Sequence, residues 1–487
     1  MAGVASFGAV VLAAAAVIIV AALSSRVSER LRIPAPAFFL LAAAAASNLW
    51  PQLAGLSHVT VENAVTVALA LILFDGGMHI GWRRFRSVAA ATAWVGVAGT
   101  FVTAAAAGFA AHFLFGFGWQ MAFLLGTALA PTDPAVVFSV LGQRQVSGRS
   151  GVLIEGESGA NDPVGIALLV AMLGASGSAL DVTVTVAWQF ALQMAVGIAA
   201  GVAGGRLLLA FMRKVPLPSE GLYLLRVMAG ALAIYGLASV AHGSGFLAVF
   251  VAGIVIGDER APYKREIARF HSALASLAEL TAFVMLGLTI DLGSVGRDWA
   301  WLTGLLLAAL LAFLIRPLLI GLLLWPVRLR PAERLFTLWA GLKGAVPILL
   351  GTAIVHSGAA GAGRAYAVIF VVVAFSVVAQ GSTVPTVARQ LKIPMTAAEV
   401  EPWSIGLRLR HEPEGVHRLS VQPGSGADNT AIGDLDLPED AWVSLVIRGG
   451  QLVPVQASTT LHAGDETLVL ADDDQDGDLA ALFTSRG

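Results

Sequence analysis

Nine ionisable residues fall deep inside long apolar runs of this chain: Asp75, Asp133, Glu155, Glu157, Asp162, Arg226, Glu279, Arg316 and Lys343. A charge at the centre of a membrane helix costs about 2.5–3.5 kcal/mol, so each needs a chemical reason to be there. Three share one string, Glu155-Gly156-Glu157-Ser158-Gly159-Ala160-Asn161-Asp162-Pro163. On a helix Ser158 and Asp162 lie one turn apart on one face, with Asn161 beside Asp162 and Glu157 pointing elsewhere. A carboxylate, a carboxamide oxygen and a hydroxyl are hard oxygen donors, suited to an alkali cation rather than a transition metal. A carboxylate held away from water also exchanges protons nearer neutral pH. A cation and a proton can then compete for one site, and a site exposed to alternate sides exchanges one for the other. Arg226 and Glu279 lie nearer the ends of their runs, where they can snorkel, and are set aside.

Two of the apolar runs are interrupted. One contains Ala130-Pro131-Thr132-Asp133-Pro134, where two prolines cannot both keep the helical ladder. Thr-Asp-Pro is also a helix-start signal, which gives Asp133 a capping role to set against an ionic one. The other contains Gly341-Leu342-Lys343-Gly344-Ala345-Val346-Pro347, again glycines and a proline around one charge. Counted as spans, the two are the fifth and the twelfth, an odd separation that sends them through a membrane in opposite directions. Paired interrupted helices in inverted positions mark a transporter's binding site. Irregular backbone survives at that depth only around a cavity or within protein.

The elements that carry these residues follow from composition. The chain has 487 residues, 57% hydrophobic and 13% charged, which excludes a large soluble enzyme. Runs of about 20 apolar residues recur to about residue 388. The fold class is therefore a polytopic α-helical membrane protein with a small cytoplasmic α/β domain. Thirteen spans are predicted, at about 4–24, 33–50, 60–80, 88–114, 119–142, 152–174, 184–212, 221–240, 242–257, 274–293, 299–325, 332–356 and 363–388. The first lacks a basic leading region and a cleavage site and reads as a retained span. The absence of cysteine excludes disulfides, thiolate metal sites and cysteine nucleophiles.

Charge gives orientation. One set of alternate loops carries seventeen Lys and Arg, from Arg26, Arg30 and Arg32 through Arg83–Arg86 and Arg260–Arg269 to Arg334; the opposite set carries Arg297 and Arg364. The positive-inside rule makes the basic set cytoplasmic and the N-terminus external. The net charge of −2 hides a split: residues 400–487 carry −10 and residues 1–399 carry +8. The domains are read as 1–392, in the membrane, and 403–487, cytoplasmic. Trp50, Trp82, Trp119, Trp301 and Trp325 suit aromatic belts, and the histidines show no metal-ligand spacing.

With Phe74-Asp75-Gly76-Gly77, Thr132-Asp133-Pro134, Glu157-Ser158 followed by Asn161-Asp162, and Gly341 to Pro347, the membrane part resembles the monovalent cation:proton antiporters of the NhaP type. The resemblance implies that Asp162 binds the ion and the proton, that Ser158 and the Thr132 backbone supply cation ligands, and that Asp133 is the second acid of the site. Asn161, where an electrogenic branch has Asp, implies electroneutral exchange. Glu157 is implied to be structural, paired with a basic residue of the twelfth span. There the family has Arg and this chain Lys343, which keeps the charge and loses the bidentate fork. Arg316 is the alternative partner. Asp75 either lines the cytoplasmic funnel or touches the ion.

Residues 403–487 read as short strands. Val416–Val421 alternates, Trp442–Ile447 is β-rich, and Gly449-Gly450 turns the chain before Leu452–Val455. With Leu461-His462-Ala463-Gly464-Asp465 before a last apolar strand, the segment resembles the C-terminal lobe of RCK (TrkA-C) domains. Asp472-Asp473-Asp474 reads as a solvated acidic end. Such a tail implies K⁺ rather than Na⁺, exported in exchange for H⁺, and a small-molecule regulator; the resemblance to the antiporter family implies a homodimer in the lipid bilayer. No cofactor, nucleic acid or enzymatic role is expected; the Ala/Gly-rich composition with little Lys suggests a GC-rich bacterial genome, and the expected location is the bacterial inner membrane. A Na⁺:H⁺ antiporter is the principal alternative. An RCK-gated channel would need a Thr-Val-Gly-Tyr-Gly filter, which is absent. An intramembrane serine protease would use Gly156-Glu157-Ser158-Gly159, but flanking carboxylates oppose an oxyanion.

Overall fold

The structure, a computed structural model, describes residues 34–50, 57–141, 144–146, 148–175, 177–259, 261–397, 415–438, 441–471 and 476–484. The expected span 4–24, Arg26, Arg30, Arg32, Arg260 and Asp472–Asp474 lie outside the described residues. The chain divides into two compact units, Met1–Ala398 and Glu399–Gly487.

The first unit is helical. Among the described residues, six helices are long and apolar enough to cross a membrane, and shorter apolar helices accompany them. α1 (Ala35–Leu49) is followed by α2 (His58–Ala93), a π-helical turn at Trp94–Ala98 and α3 (Gly99–Phe115). The loop expected at Arg83–Arg86 is a kink at Gly81, whose φ of 63° is a conformation side-chain-bearing residues rarely adopt. Behind it the Asp258 carboxylate accepts the Arg83 backbone N–H. The predicted fifth span is two pieces, α4 (Trp119–Ala128) and α5 (Pro134–Leu141). Then come β1 (Arg144–Val146), α6 (Arg149–Gly174), α7 (Ala179–Lys214), α8 (Glu220–Val240), α9 (Gly245–Gly257) and α10 (Lys264–Leu288).

α11 (Ala300–Leu310) continues into a π-helical stretch, Leu311–Ile320, that contains Pro317. The predicted twelfth span is likewise divided, into α12 (Pro331–Trp339) and α13 (Ala345–His356). α14 (Ala362–Phe375), a π turn at Ser376–Gln380 and α15 (Gly381–Gln390) lead to β2 (Met395–Ala397), which pairs antiparallel with β1. One continuous apolar cluster runs through the unit, with Phe74, Phe283 and Phe336 fully enclosed.

The second unit is a four-stranded antiparallel sheet in the order β3-β6-β4-β5, from β3 (Gly415–Ser420), β4 (Trp442–Arg448), β5 (Gln451–Val453) and β6 (Glu466–Ala471), followed by α16 (Asp476–Phe483). Val443, Val446, Val469, Leu479 and Phe483 form its core. Gly449 and Gly450 both take positive φ, the geometry of a two-residue hairpin turn, and place Arg448 opposite Gln451.

Candidate functional site

The two interruptions meet. The backbone N–H of Asp133 donates to Leu342 O at 2.8 Å, joining one break to the other. Lys343 Nζ crosses back, donating to Ala130 O at 2.9 Å and Pro131 O at 3.0 Å, carbonyls at the C-terminal end of α4 that the broken ladder leaves unbonded. The Lys343 N–H is held by Ser376 Oγ at 2.8 Å. Asp133 Oδ1 accepts from the Ala135 N–H at 2.9 Å and so caps α5, the helix-start role that Thr-Asp-Pro signals. Gly344 is obligatory in this packing, since a Cβ there would overlap the Asp133 carboxylate.

α6 docks against the first break through Asn161. Its Nδ2 donates to Thr132 Oγ1 at 2.7 Å and its Oδ1 accepts from the Thr132 N–H at 3.2 Å. Ser158 Oγ lies 3.1 Å from the same Thr132 hydroxyl. Asn161, expected as an ion ligand, therefore spends both ends of its amide on Thr132. Asp162, next to it, is buried, and its Oδ1 has no hydrogen-bond partner.

Glu157 and Arg316 form a buried ion pair, Nη2 to Oε1 at 2.9 Å. Arg316 also donates to Leu338 O at 2.9 Å and Thr337 O at 3.3 Å. The expected partner for Glu157 on the twelfth span, Lys343, is replaced by its alternative, Arg316. A single ammonium is used up by the carbonyls of the first break, while a planar fork reaches a carboxylate and a helix end together.

A cavity of about 380 Å³ opens beside these residues, lined among others by Asp75, Asp133, Glu155, Ser158, Asp162 and Glu279. Asp75 sits in its wall with His79, whose Nδ1 lies 3.3 Å from Asp75 Oδ2. Asn161 and Glu157 do not line it, and Lys343 and Arg316 line a separate, smaller cavity. Glu279 was missed by sequence reasoning because its span was placed at 274–293. α10 begins at Lys264, so Glu279 falls in mid-helix and faces the cavity. Arg226 does not snorkel either: it is buried and donates to Phe211 O, Met212 O and Val215 O, closing the end of α7. The serine of the protease reading faces a threonine hydroxyl, not an imidazole.

Residues 14–390 match the profile of the sodium/hydrogen exchanger transmembrane family. The chain belongs to that family. This exchanger is a multi-pass membrane protein and a cation/proton antiporter, a transporter rather than an enzyme. Its residues 416–484 match the TrkA-C domain. It is 32% identical over 460 residues to a K⁺/H⁺ antiporter NhaP of Alkalimonas amylolytica, covering 92% of this chain and 78% of the relative. It is 30% identical over 476 residues to a K⁺/H⁺ antiporter NhaP2 of Shewanella oneidensis, covering 95% and 81%. With a Na⁺/H⁺ antiporter NhaH of Halobacillus dabanensis it shares 27% identity over 352 residues, 69% of this chain and 84% of that one. The exchanger's fold is that of the sodium proton antiporter MjNhaP1 of Methanocaldococcus jannaschii, with a TM-score of 0.67 at 22% identity over 78% of this chain and 98% of that one.

Proposed function

We propose that this antiporter exports K⁺ in exchange for H⁺, one for one, at Asp162. The observation that carries the reading is Asp162 itself, a buried carboxylate with an unpartnered oxygen at the wall of a cavity, while both neighbouring cations are committed elsewhere. Lys343 serves carbonyls and Arg316 serves Glu157, so neither neutralises Asp162 by direct contact. The carboxylate then takes either a proton or a cation as its counter-charge. Ser158 and the Thr132 backbone complete an oxygen shell for the dehydrated cation, with Asp133 as the second acid. Asn161 is neutral and occupied, which leaves one exchangeable charge at this position and supports electroneutral stoichiometry. Two relatives named K⁺/H⁺ antiporters, matched over tail and membrane part alike, favour K⁺ over Na⁺.

In the same reading the exchanger sits as a homodimer in a bacterial inner membrane, with its N-terminus outside and residues 403–487 in the cytoplasm as a regulatory domain. The test is proteoliposome exchange followed by a pH dye, with K⁺ and Na⁺ added separately to wild type and Asp162→Asn. Cation-driven proton movement absent from the variant supports the site, and the larger response names the ion. An unchanged signal in Asp162→Asn removes it. Deleting residues 403–487 is expected to alter the pH or ion dependence and leave exchange intact; an unaltered dependence removes the regulatory role.

A further inference from the structure

Five carboxylates line the cavity, and among the described residues Glu279 is the one besides Asp162 with a buried oxygen, Oε1, that has no hydrogen-bond partner. A buried polar atom left unpaired in a native fold calls for a reason, and an ionisable one inside a membrane is by default a ligand group.

Its setting supplies the reason. α10 turns Ser272, Ala275, Ser276, Glu279 and Phe283 to the cavity, a spacing of three and four that makes one face. Ser272 Oγ lies 3.4 Å from Asp75 Oδ1 and 3.4 Å from His79 Nε2. Seven residues on, Glu279 stands about 10 Å further along the helix axis. The face thus carries oxygen donors from the Asp75–His79 end of the cavity inwards. Ser276 Oγ donates to Ser272 O and keeps its own lone pairs free.

We propose that Glu279, with the Ser276 hydroxyl, is a second cation station in the same cavity, holding a partly hydrated monovalent cation apart from the Asp162 site. The cavity volume, about 380 Å³, leaves space for this. At roughly 30 Å³ per water it accommodates about a dozen waters, more than one alkali ion and its shell require. The two stations stand on differently built elements. Asp162 and Ser158 belong to the hydrogen-bonded assembly of α6 and the two breaks, whereas α10 is unbroken through Glu279 and packs mainly on α1 and α2.

The inference rests on exchange at Asp162, and its test separates the two. Radiolabelled Rb⁺ and Na⁺ binding is measured on the full-length protein for wild type, Asp162→Asn, Glu279→Gln and the double variant. Asp162→Asn is expected to keep residual binding that the double variant lacks. In proteoliposomes Glu279→Gln is expected to raise the KM for the cation about tenfold with the maximal rate within about twofold, and Glu279→Asp to recover part of the loss. Absence of residual binding in Asp162→Asn overturns the second station, as does residual binding indifferent to Glu279→Gln. Full exchange by Asp162→Asn overturns the Asp162 assignment instead, and leaves the binding comparison at Glu279 to be read by itself.

Discussion

Arg316 reaches Glu157 at 2.9 Å from a π-helical stretch, with both side chains buried, and so fastens α6 to the segment that ends α12. Removing one member leaves the other charged and unpaired, at a cost of about 3–5 kcal/mol. Glu157→Gln and Arg316→Gln are each expected to lower the thermal unfolding midpoint of the detergent-solubilised protein sharply. The double variant should lose less than the two single losses combined, because the pair acts as a unit. Strictly additive losses would mean that the two residues are not coupled.

Lys343 predicts a different defect. Lys343→Met retains the apolar stem and withdraws the donor from Ala130 O and Pro131 O, each left unpaired at about 1–3 kcal/mol. Because those carbonyls border the proposed ion site, exchange is expected to fall along with stability. A variant with wild-type exchange would show that solvent satisfies both carbonyls without the ammonium.

Gly344→Ala tests how tightly the breaks interlock. The new methyl group would meet the Asp133 carboxylate, so either the cap of α5 or the start of α13 must shift. Exchange is expected to drop at least about tenfold, a barrier change of about 1.4 kcal/mol. Gly363→Ala, in α14 with open space around it, is the control and should be neutral or stabilising by up to about 1 kcal/mol. Equal activities in the two variants would contradict the interlock.

The C-terminal unit makes a pH prediction. Hydrogen bonds from the Arg448 guanidinium to Asp465, at 2.7 and 2.8 Å, hold this buried carboxyl below the ordinary carboxylate range. A carboxyl lowered in the folded state contributes stability that is complete above its unfolded pKa of about 3.9 and is lost as pH falls through the folded value. Cleavage of the tail in the intact protein by an acid-active protease should therefore accelerate below about pH 4. Asp465→Asn should also be cleaved faster than wild type by a neutral protease at pH 7, and identical rates for the two proteins would exclude the ion pair as the cause.

Much of this was legible in the chain before folding. Pro131, Pro134 and Pro347 with their glycines announced both breaks, because a missing N–H or a clashing ring acts on its own neighbours. One helical turn placed Ser158 with Asp162, alternation marked β3, and β-rich composition marked β4, each a local property of the chain. The strand turn at Gly449-Gly450 was visible for the same reason.

What the fold decided was which distant groups meet. Sequence could nominate Lys343 or Arg316 for Glu157, but the carbonyls freed at Ala130 and Pro131 claim the lysine and leave the carboxylate to the guanidinium. Asn161 has the chemistry of an ion ligand, and packing gives its amide Thr132, a partner 29 residues away. Glu279 resembled an interfacial residue until α10 proved to start ten residues earlier and turned it inward. Helical period and chain breaks are local properties of the covalent chain. Hydrogen bonds and ion pairs are won by whichever partner packing brings within about 3 Å, and that depends on every other helix in the bundle.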